Sequence, residues 1–319
     1  MIKTILKGLI RALVKPAFSP LVSIKWRRRW LNFASASMSR APKGICSEWF
    51  ELGSVPTFVA YPEGKSASTP SAEHILYVHG GGYVSGGVAT HGAFIKHIAA
   101  ATQATVWMPD YRLAPEHPYP AALEDVLSAY EGLLAVITAS KPTNSPMSLS
   151  IIGDSAGGGL ALACAQVLRD TMVVEPQPQA LILFSPWVDL TCSSETYTSM
   201  AAADPMLNPN GLRACAEHYC GALPLKHTGC SPLFGDLGQL PPLLIQVGSE
   251  EVLLQDALTL AEKAKAAGTT TTLHVYEGMW HVFQLHVPQL QVSRDALAQT
   301  AAFYTKLTKA SCFKAISQQ

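Results

Sequence analysis

The sequence predicts an α/β fold: a mostly parallel eight-stranded sheet with helices on both faces and a helical cap. Three observations carry that prediction. From about residue 45 the chain alternates short apolar runs of strand length with longer helical runs, the order that a layered parallel sheet requires. Two of the runs end in glycine-rich turns, at His79-Gly80-Gly81-Gly82 and Gly153-Asp154-Ser155-Ala156-Gly157. Between Pro186 and Pro242 the alternation stops, leaving turn signals, a helix around 210–219 and no convincing strand.

Taken in order, Cys46–Leu52 and Val55–Tyr61 flank Gly53-Ser54 and read as an antiparallel hairpin at the sheet edge. A Gly/Ser/Pro-rich loop at 63–72 precedes strand His74–Val78, a helix near 91–103, strand Thr105–Pro109 and a helix near 121–138. Leu149–Ile152 leads into a helix at 156–169. Leu181–Phe184, Leu243–Val247 and Thr271–Tyr276 supply the later strands, with a helix at 255–267 between the last two and a final helix at 288–307. An insertion at about 187–235, on the side where strands end, is placed to form a lid. The domain reading is therefore a basic N-terminal cap segment at 1–44 and a core at 45–319 that carries the insertion.

Hydrophobic residues make up 48% of the chain and charged ones 14%, which excludes a disordered or highly charged interaction tail. The length suits one large α/β core. Seven cysteines, odd in number, scattered and never spaced Cys-x-x-Cys, read as reduced thiols of a cytoplasmic protein rather than as a disulfide framework or zinc site. The zero net charge hides an asymmetry. Residues 1–47 hold ten Lys or Arg and no acid, leaving 13 basic and 23 acidic residues in the rest. Such a split suits an acidic partner, a membrane surface, or an arm packed on its own acidic body. Lys3, Lys7, Arg11 and Lys15 recur every four residues opposite Ile2, Ile5, Leu6, Leu9, Ile10, Leu13 and Val14, so an amphipathic helix forms and Pro16 ends it. Charges interrupt it too often for a signal-peptide core or a spanning helix. It either caps the body with its apolar face or makes a peripheral membrane contact through residues 1–16.

Gly153 to Gly157 matches G-x-S-x-G, with an apolar strand before it and a small-residue helix after it. That strand, sharp turn and helix form the elbow on which a nucleophilic serine, here Ser155, is presented at the positive end of a helix. His79-Gly80-Gly81-Gly82-Tyr83 follows directly on strand His74–Val78. Acyl transfer needs backbone N–H donors aimed at an oxygen that becomes negative, and glycine lets the backbone approach closely. Gly81 and Gly82, with Ala156 after the nucleophile, are the candidate oxyanion donors. A phosphate loop is the competing reading of the glycines, but neither Lys-Ser nor Lys-Thr follows and no G-x-G-x-x-G can be drawn.

A serine on such an elbow takes its acid and then its histidine from later strand ends. His274 lies inside a strand and reads as structural, and His286 sits in a supporting place. His281, in the loop Glu277-Gly278-Met279-Trp280-His281, is the base. The acid lies in Gly248-Ser249-Glu250-Glu251-Val252-Leu253. Glu251 borders the apolar run and is preferred to Glu250, which faces solvent; Asp256, already on the next helix, is a third candidate. Asp189 and Asp204 fall in the lid interval and read as structural.

Together these residues resemble the hormone-sensitive-lipase-like branch of the α/β-hydrolases, which includes many bacterial family IV carboxylesterases. The resemblance rests on His79 to Gly82, on Asp110-Tyr-Arg-Leu-Ala-Pro-Glu116, on Gly153 to Gly158 and on Gly278-Met-Trp-His281-Val-Phe, and spans about residues 74–285. It implies the α/β-hydrolase fold, a cap built from the N-terminal segment and the insertion, hydrolysis without cofactor or metal, and a preference for short acyl chains. It also makes Asp110 to Glu116, with Pro118 to Asp125, a structural brace. Many relatives carry Asp followed by Pro-Leu as the acid, whereas here Glu251 precedes Val252-Leu253-Leu254. The expected activity is a serine carboxylesterase with a Ser155-His281-Glu251 triad and an acyl-enzyme intermediate, acting on a small-molecule ester. Lactone hydrolysis, an interfacial lipase and a ligand-binding receptor on the same scaffold are the alternatives; His281 speaks against the receptor. Nothing points to nucleic acid. A homodimer and attachment at the inner membrane surface stay open.

Overall fold

A computed structural model describes residues 2–66, 73–140, 148–171 and 176–316. Most of the loop expected at 63–72 therefore lies outside the described residues. The hairpin strands are β1 (Ile45–Leu52) and β2 (Val55–Pro62), followed by β3 (Glu73–Val78), β4 (Thr105–Pro109), β5 (Ser148–Asp154), β6 (Leu181–Phe184), β7 (Leu243–Gly248) and β8 (Thr271–Tyr276). They form one eight-stranded sheet in the order β1-β2-β4-β3-β5-β6-β7-β8. β1 pairs antiparallel with β2, and β2 with β4, whereas every later pairing is parallel. This is the mostly parallel α/β sheet that the alternation of elements predicts, and it agrees with the α/β-hydrolase fold that the resemblance implies.

The two-residue period of the strands sorts the apolar side chains into two layers. Leu76 and Val78, Ile151, Leu181 and Leu183, and Ile245 and Val247 point to one side. Ile75 and Tyr77, Ile152, Ile182 and Phe184, and Leu244 point to the other. Both sets are buried because helices cover each face, so β4 to β7 read as continuous apolar runs rather than alternating ones. Helices α4 (Ala121–Ser140) and α5 (Ser155–Thr171) pack on the first face with α8 (Leu254–Ala266). Helices α3 (Val88–Thr102) and α9 (Gln291–Ile316) cover the second.

The N-terminal segment contains α1 (Ile2–Leu13) and α2 (Ile24–Met38). Sequence periodicity predicts α1; the helix α2, with its basic Lys-Trp-Arg-Arg-Arg-Trp run, is not among the expected elements. Leu6, Ile10, Val14, Phe18 and Leu31 from this segment join Met279, Trp280, Phe283 and Leu290 in a third apolar cluster. The basic side chains are held by the body: Lys7 pairs with Glu250, and Arg11 donates to the carbonyls of Ala202 and Ala203 at 2.8 and 3.0 Å. Lys15 donates to the carbonyls of Ala201 and Asp204 at 2.7 and 2.6 Å, and Arg28 pairs with Glu116 at 2.7 Å. These four basic side chains are thus bound to the body, Lys7 and Arg28 by carboxylates and Arg11 and Lys15 by backbone carbonyls.

Between β6 and β7 the described residues hold α6 (Thr196–Ser199), α7 (Pro209–Cys220) and a 3-10 turn, and no strand. Trp187 to Leu190, the first residues of the expected insertion, sit in the core: the Trp187 N–H donates to the Ser155 carbonyl at 2.9 Å. Six cysteines are free thiols, and the Cys312 side chain lies outside those described. No described helix is long and apolar enough to cross a membrane.

Asp256 on α8 is buried, and one of its oxygens accepts from the Val188 and Asp189 N–H groups at 3.4 and 3.2 Å. Burial, then the neighbouring Asp189, pushes its carboxyl well above the ordinary value. A raised folded-state pKa means stability that is full below the unfolded pKa and falls as pH rises above it. The melting temperature of Asp256→Asn should therefore gain on that of the parent as pH increases from 4 towards 9; a difference that stays flat or shrinks over that range would contradict it.

Candidate active site

β5 runs out at Asp154 and α5 begins at Ser155 without a connecting loop. Ser155 is consequently forced into the left-handed region, at φ 53°, a conformation of order 1–3 kcal/mol less favourable for a non-glycine residue. Gly157 makes the turn feasible, since a Cβ there would collide with the carbonyl oxygens of Val78 and His79 at the end of β3. Asp154 locks the same junction. Its Oδ1 accepts from the Tyr77 hydroxyl at 2.6 Å and the Gly80 N–H at 2.9 Å, and its Oδ2 lies 3.3 Å from His91 Nε2. Burial acts to raise the Asp154 carboxyl, but the charge and hydrogen bond of His91 and the Tyr77 hydroxyl together hold it below the ordinary carboxylate range.

The loop after β3 turns sharply through Gly81 and Gly82, at φ 126° and 66°. A side chain at Gly81 would run into the Ser85 carbonyl, so the turn demands glycine. The Gly81 and Gly82 N–H groups have no acceptor among the described residues. The Ala156 N–H belongs to the first turn of α5, where no intrahelical acceptor exists. Gly81, Gly82, Ser155 and His281 all line one cavity of about 120 Å³. Tyr111 supports this loop by donating to the His79 carbonyl at 2.7 Å and stacking on the His79 ring at 4.2 Å. Burial lowers His79 to about 4. The Asp110 to Asp125 stretch ties itself together through Arg112 and Asp125, 2.8 Å apart.

His281 stands 2.9 Å from Ser155 Oγ through Nε2 and 2.7 Å from Glu251 Oε2 through Nδ1. All three side chains are buried. Glu251 Oε1 accepts from the Ser185 hydroxyl at 2.9 Å and from the Gly248 N–H at 2.6 Å. The extra methylene of Glu is accommodated because the chain turns back after β7, bringing the carboxylate against the end of its own strand. Glu250 points outward to Lys7, and Asp256 faces Val188 and Asp189, so neither reaches the imidazole. His274 stays on β8. His286 lines the cavity, unpartnered at Nε2 and lowered to about 4 by burial.

Sequence reasoning missed two supports of this constellation. The Ser185 hydroxyl bridges the acid and base loops, donating to Glu251 and accepting from the Val282 N–H at 3.1 Å. Asp204, read only as structural, accepts from the Val252 N–H at 3.0 Å and from Met206 and Leu207, so it fixes the residue after the acid. A single serine at a strand end carries no motif that would have revealed the first. The rest of the cavity wall is mainly apolar and comes from Ile10, Val14, Phe18, Leu31, Met206 and Leu212. Among the described residues no group of three or more His, Cys, Asp or Glu side chains is arranged to hold a metal ion.

Comparisons with known proteins agree with this geometry. A family model described as the alpha/beta hydrolase fold matches residues 75–285. An acetyl-hydrolase of Streptomyces hygroscopicus is 40% identical over 234 residues, covering 73% of this chain and 76% of the relative. An esterase of Acinetobacter venetianus is 38% identical over 242 residues, covering 76% and 77%. A crystal structure of an esterase from the bacterial hormone-sensitive lipase family superposes with a TM-score of 0.86 at 36% identity, covering 96% of this chain and 98% of that one. The chain belongs to the α/β-hydrolase fold family, within its hormone-sensitive-lipase-like branch, and is a carboxylic ester hydrolase.

Proposed function

We propose that this chain is a serine carboxylesterase for short-acyl esters, working through Ser155, His281 and Glu251 with an acyl-enzyme intermediate. The observation that carries the reading is the unbroken relay from Glu251 to His281 to Ser155 inside a cavity of about 120 Å³. Glu251 accepts a hydrogen bond from the Nδ1–H of His281, which keeps the proton on Nδ1 and leaves the Nε2 lone pair for the serine hydroxyl. Ser155 attacks the ester carbonyl as His281 takes its proton, and Gly81, Gly82 and Ala156 receive the oxyanion in their N–H groups. His281 then protonates the departing alkoxide. Water, deprotonated by the same imidazole, attacks the acyl-enzyme, and His281 returns that proton to Ser155 Oγ as the carboxylic acid leaves. Residues 1–44 and the insertion serve as the cap that walls the pocket.

The cavity lining supports a small ester: Ile10, Val14, Phe18, Leu31, Met206 and Leu212 give it a mainly apolar wall beside Ser155. The acetyl-hydrolase and esterase names of the relatives point the same way.

Ser155→Ala should lower kcat by about 10³-fold or more with an unchanged melting temperature; retained turnover would remove Ser155 from the mechanism. Glu251→Gln should lower kcat by about 10²- to 10⁴-fold, because the imidazole loses the anion that stabilises its cation, whereas Glu250→Gln should stay near parent activity. A larger loss at 250 would reverse the assignment. Across p-nitrophenyl esters, kcat/KM should fall steeply from butyrate to laurate. A rate that instead jumps when a long-chain substrate passes its solubility limit would favour a lipase.

A further inference from the structure

Of the ten large hydrophobic residues that stand exposed among the described residues, seven precede residue 34. They are not scattered. The apolar arc of α1 is wider than the surface it covers: Leu6, Ile10 and Val14 face inward, while Ile5, Leu9 and Leu13, one step around the helix, face solvent at 57%, 46% and 37% exposure. On α2, Trp26, Trp30 and Phe33 recur at helical spacing along one edge. The two indoles stack at 5.3 Å, and Phe33, itself 68% exposed, lies 5.9 Å from Trp30. The Trp30 N–H donates to the Leu13 carbonyl at 2.6 Å, so the two rows join into one ridge.

Charge identifies the occupant of that ridge. Lys7, Arg11, Lys15, Arg27 and Arg28 are held by the body of the protein. Lys25 and Arg29, beside the tryptophans on α2, are exposed and carry no ion pair among the described residues. No acid lies within residues 1–47. A symmetric contact between two copies would set one acid-free basic face against another, without complementarity.

We propose that the ridge formed by the outer faces of α1 and α2 docks on an anionic phospholipid surface, with its aliphatic and aromatic side chains in the interface and Lys25 and Arg29 at the headgroups. Within residues 1–16 the contact then falls to the aliphatic edge of α1 rather than to its basic row, because Lys7, Arg11 and Lys15 bond to the protein. Inner faces of the same helices wall the Ser155 cavity through Ile10, Val14, Leu31 and Ala34, and exposed Ser39 lines the cavity just past α2. Docking would hold the cavity beside the lipid interface. The proposal does not depend on which ester is cleaved.

The full chain should co-sediment with vesicles made of equal parts phosphatidylcholine and phosphatidylglycerol, far less with phosphatidylcholine alone, and release in high salt. The double variants Trp26→Ser with Phe33→Ser, and Lys25→Glu with Arg29→Glu, should each weaken that binding about tenfold or more. Their melting temperature and their hydrolysis of a soluble acetate ester should match the parent. Absence of binding to both vesicle types overturns the proposal, as does binding that the substitutions leave intact. A concentration-dependent dimer abolished by the same substitutions would assign the ridge to a second copy.

Discussion

The left-handed turn at Ser155 is the constraint from which the rest of the site follows. A nucleophile raised on a strained junction needs neighbours that leave it no alternative. Here the carbonyl end of β3 presses on Gly157, Asp154 ties β5 to Tyr77 and Gly80, and Trp187 bonds the Ser155 carbonyl. β3 continues directly into the glycine loop. The contacts that hold Ser155 therefore also set its distance from the N–H groups of Gly81 and Gly82, the proposed oxyanion donors, and neither can be displaced without the other.

Strain recurs wherever a catalytic group must be presented. Of the seven non-glycine residues at positive φ among the described residues, Tyr83 follows Gly82, Ser185 donates to Glu251, and Val282 follows His281, beside Ser155 itself. Each lies where the chain leaves a strand or turns directly into the site. Buried hydrogen bonds replace the freedom lost there: Ser185 couples the loop after β7 to the loop after β8, and Asp204 pins Val252. A carboxylate acting on an imidazole inside an apolar core has to be held in this way, because a buried acceptor left without donors is strongly destabilising.

The N-terminal helices link catalysis to the outside of the molecule. Their inner residues share one apolar cluster with Met279 and Trp280, the residues immediately before His281. Removing that packing would expose the cavity and loosen the loop that carries the base. Lys7 of the basic row pairs with Glu250 and backbone carbonyls hold Arg11 and Lys15, so most of a row that in the linear chain resembles a free basic arm is bonded to the body.

Local sequence determined the parts whose signal is local. The strand runs, the two glycine turns and the amphipathic period of α1 could be read because propensity, periodicity and close-approach glycines act within a few residues. The same is true of Glu251, where an adjacent apolar run marks the buried side of the chain. The proposed order of serine, acid and histidine rests on the order of parts in the fold. Only tertiary structure decided what depends on partners far apart in the chain. Ser185 became a bridge because β6 lies beside β7. Lys7 found Glu250 across 243 residues, and α2, whose aromatic row faces outward, is held by Arg27 and Arg28 reaching backbone carbonyls of Ala17, Val84 and Ala114. Long-range hydrogen bonds leave no period in a sequence, since either partner alone looks like any exposed polar residue until the sheet brings the two together.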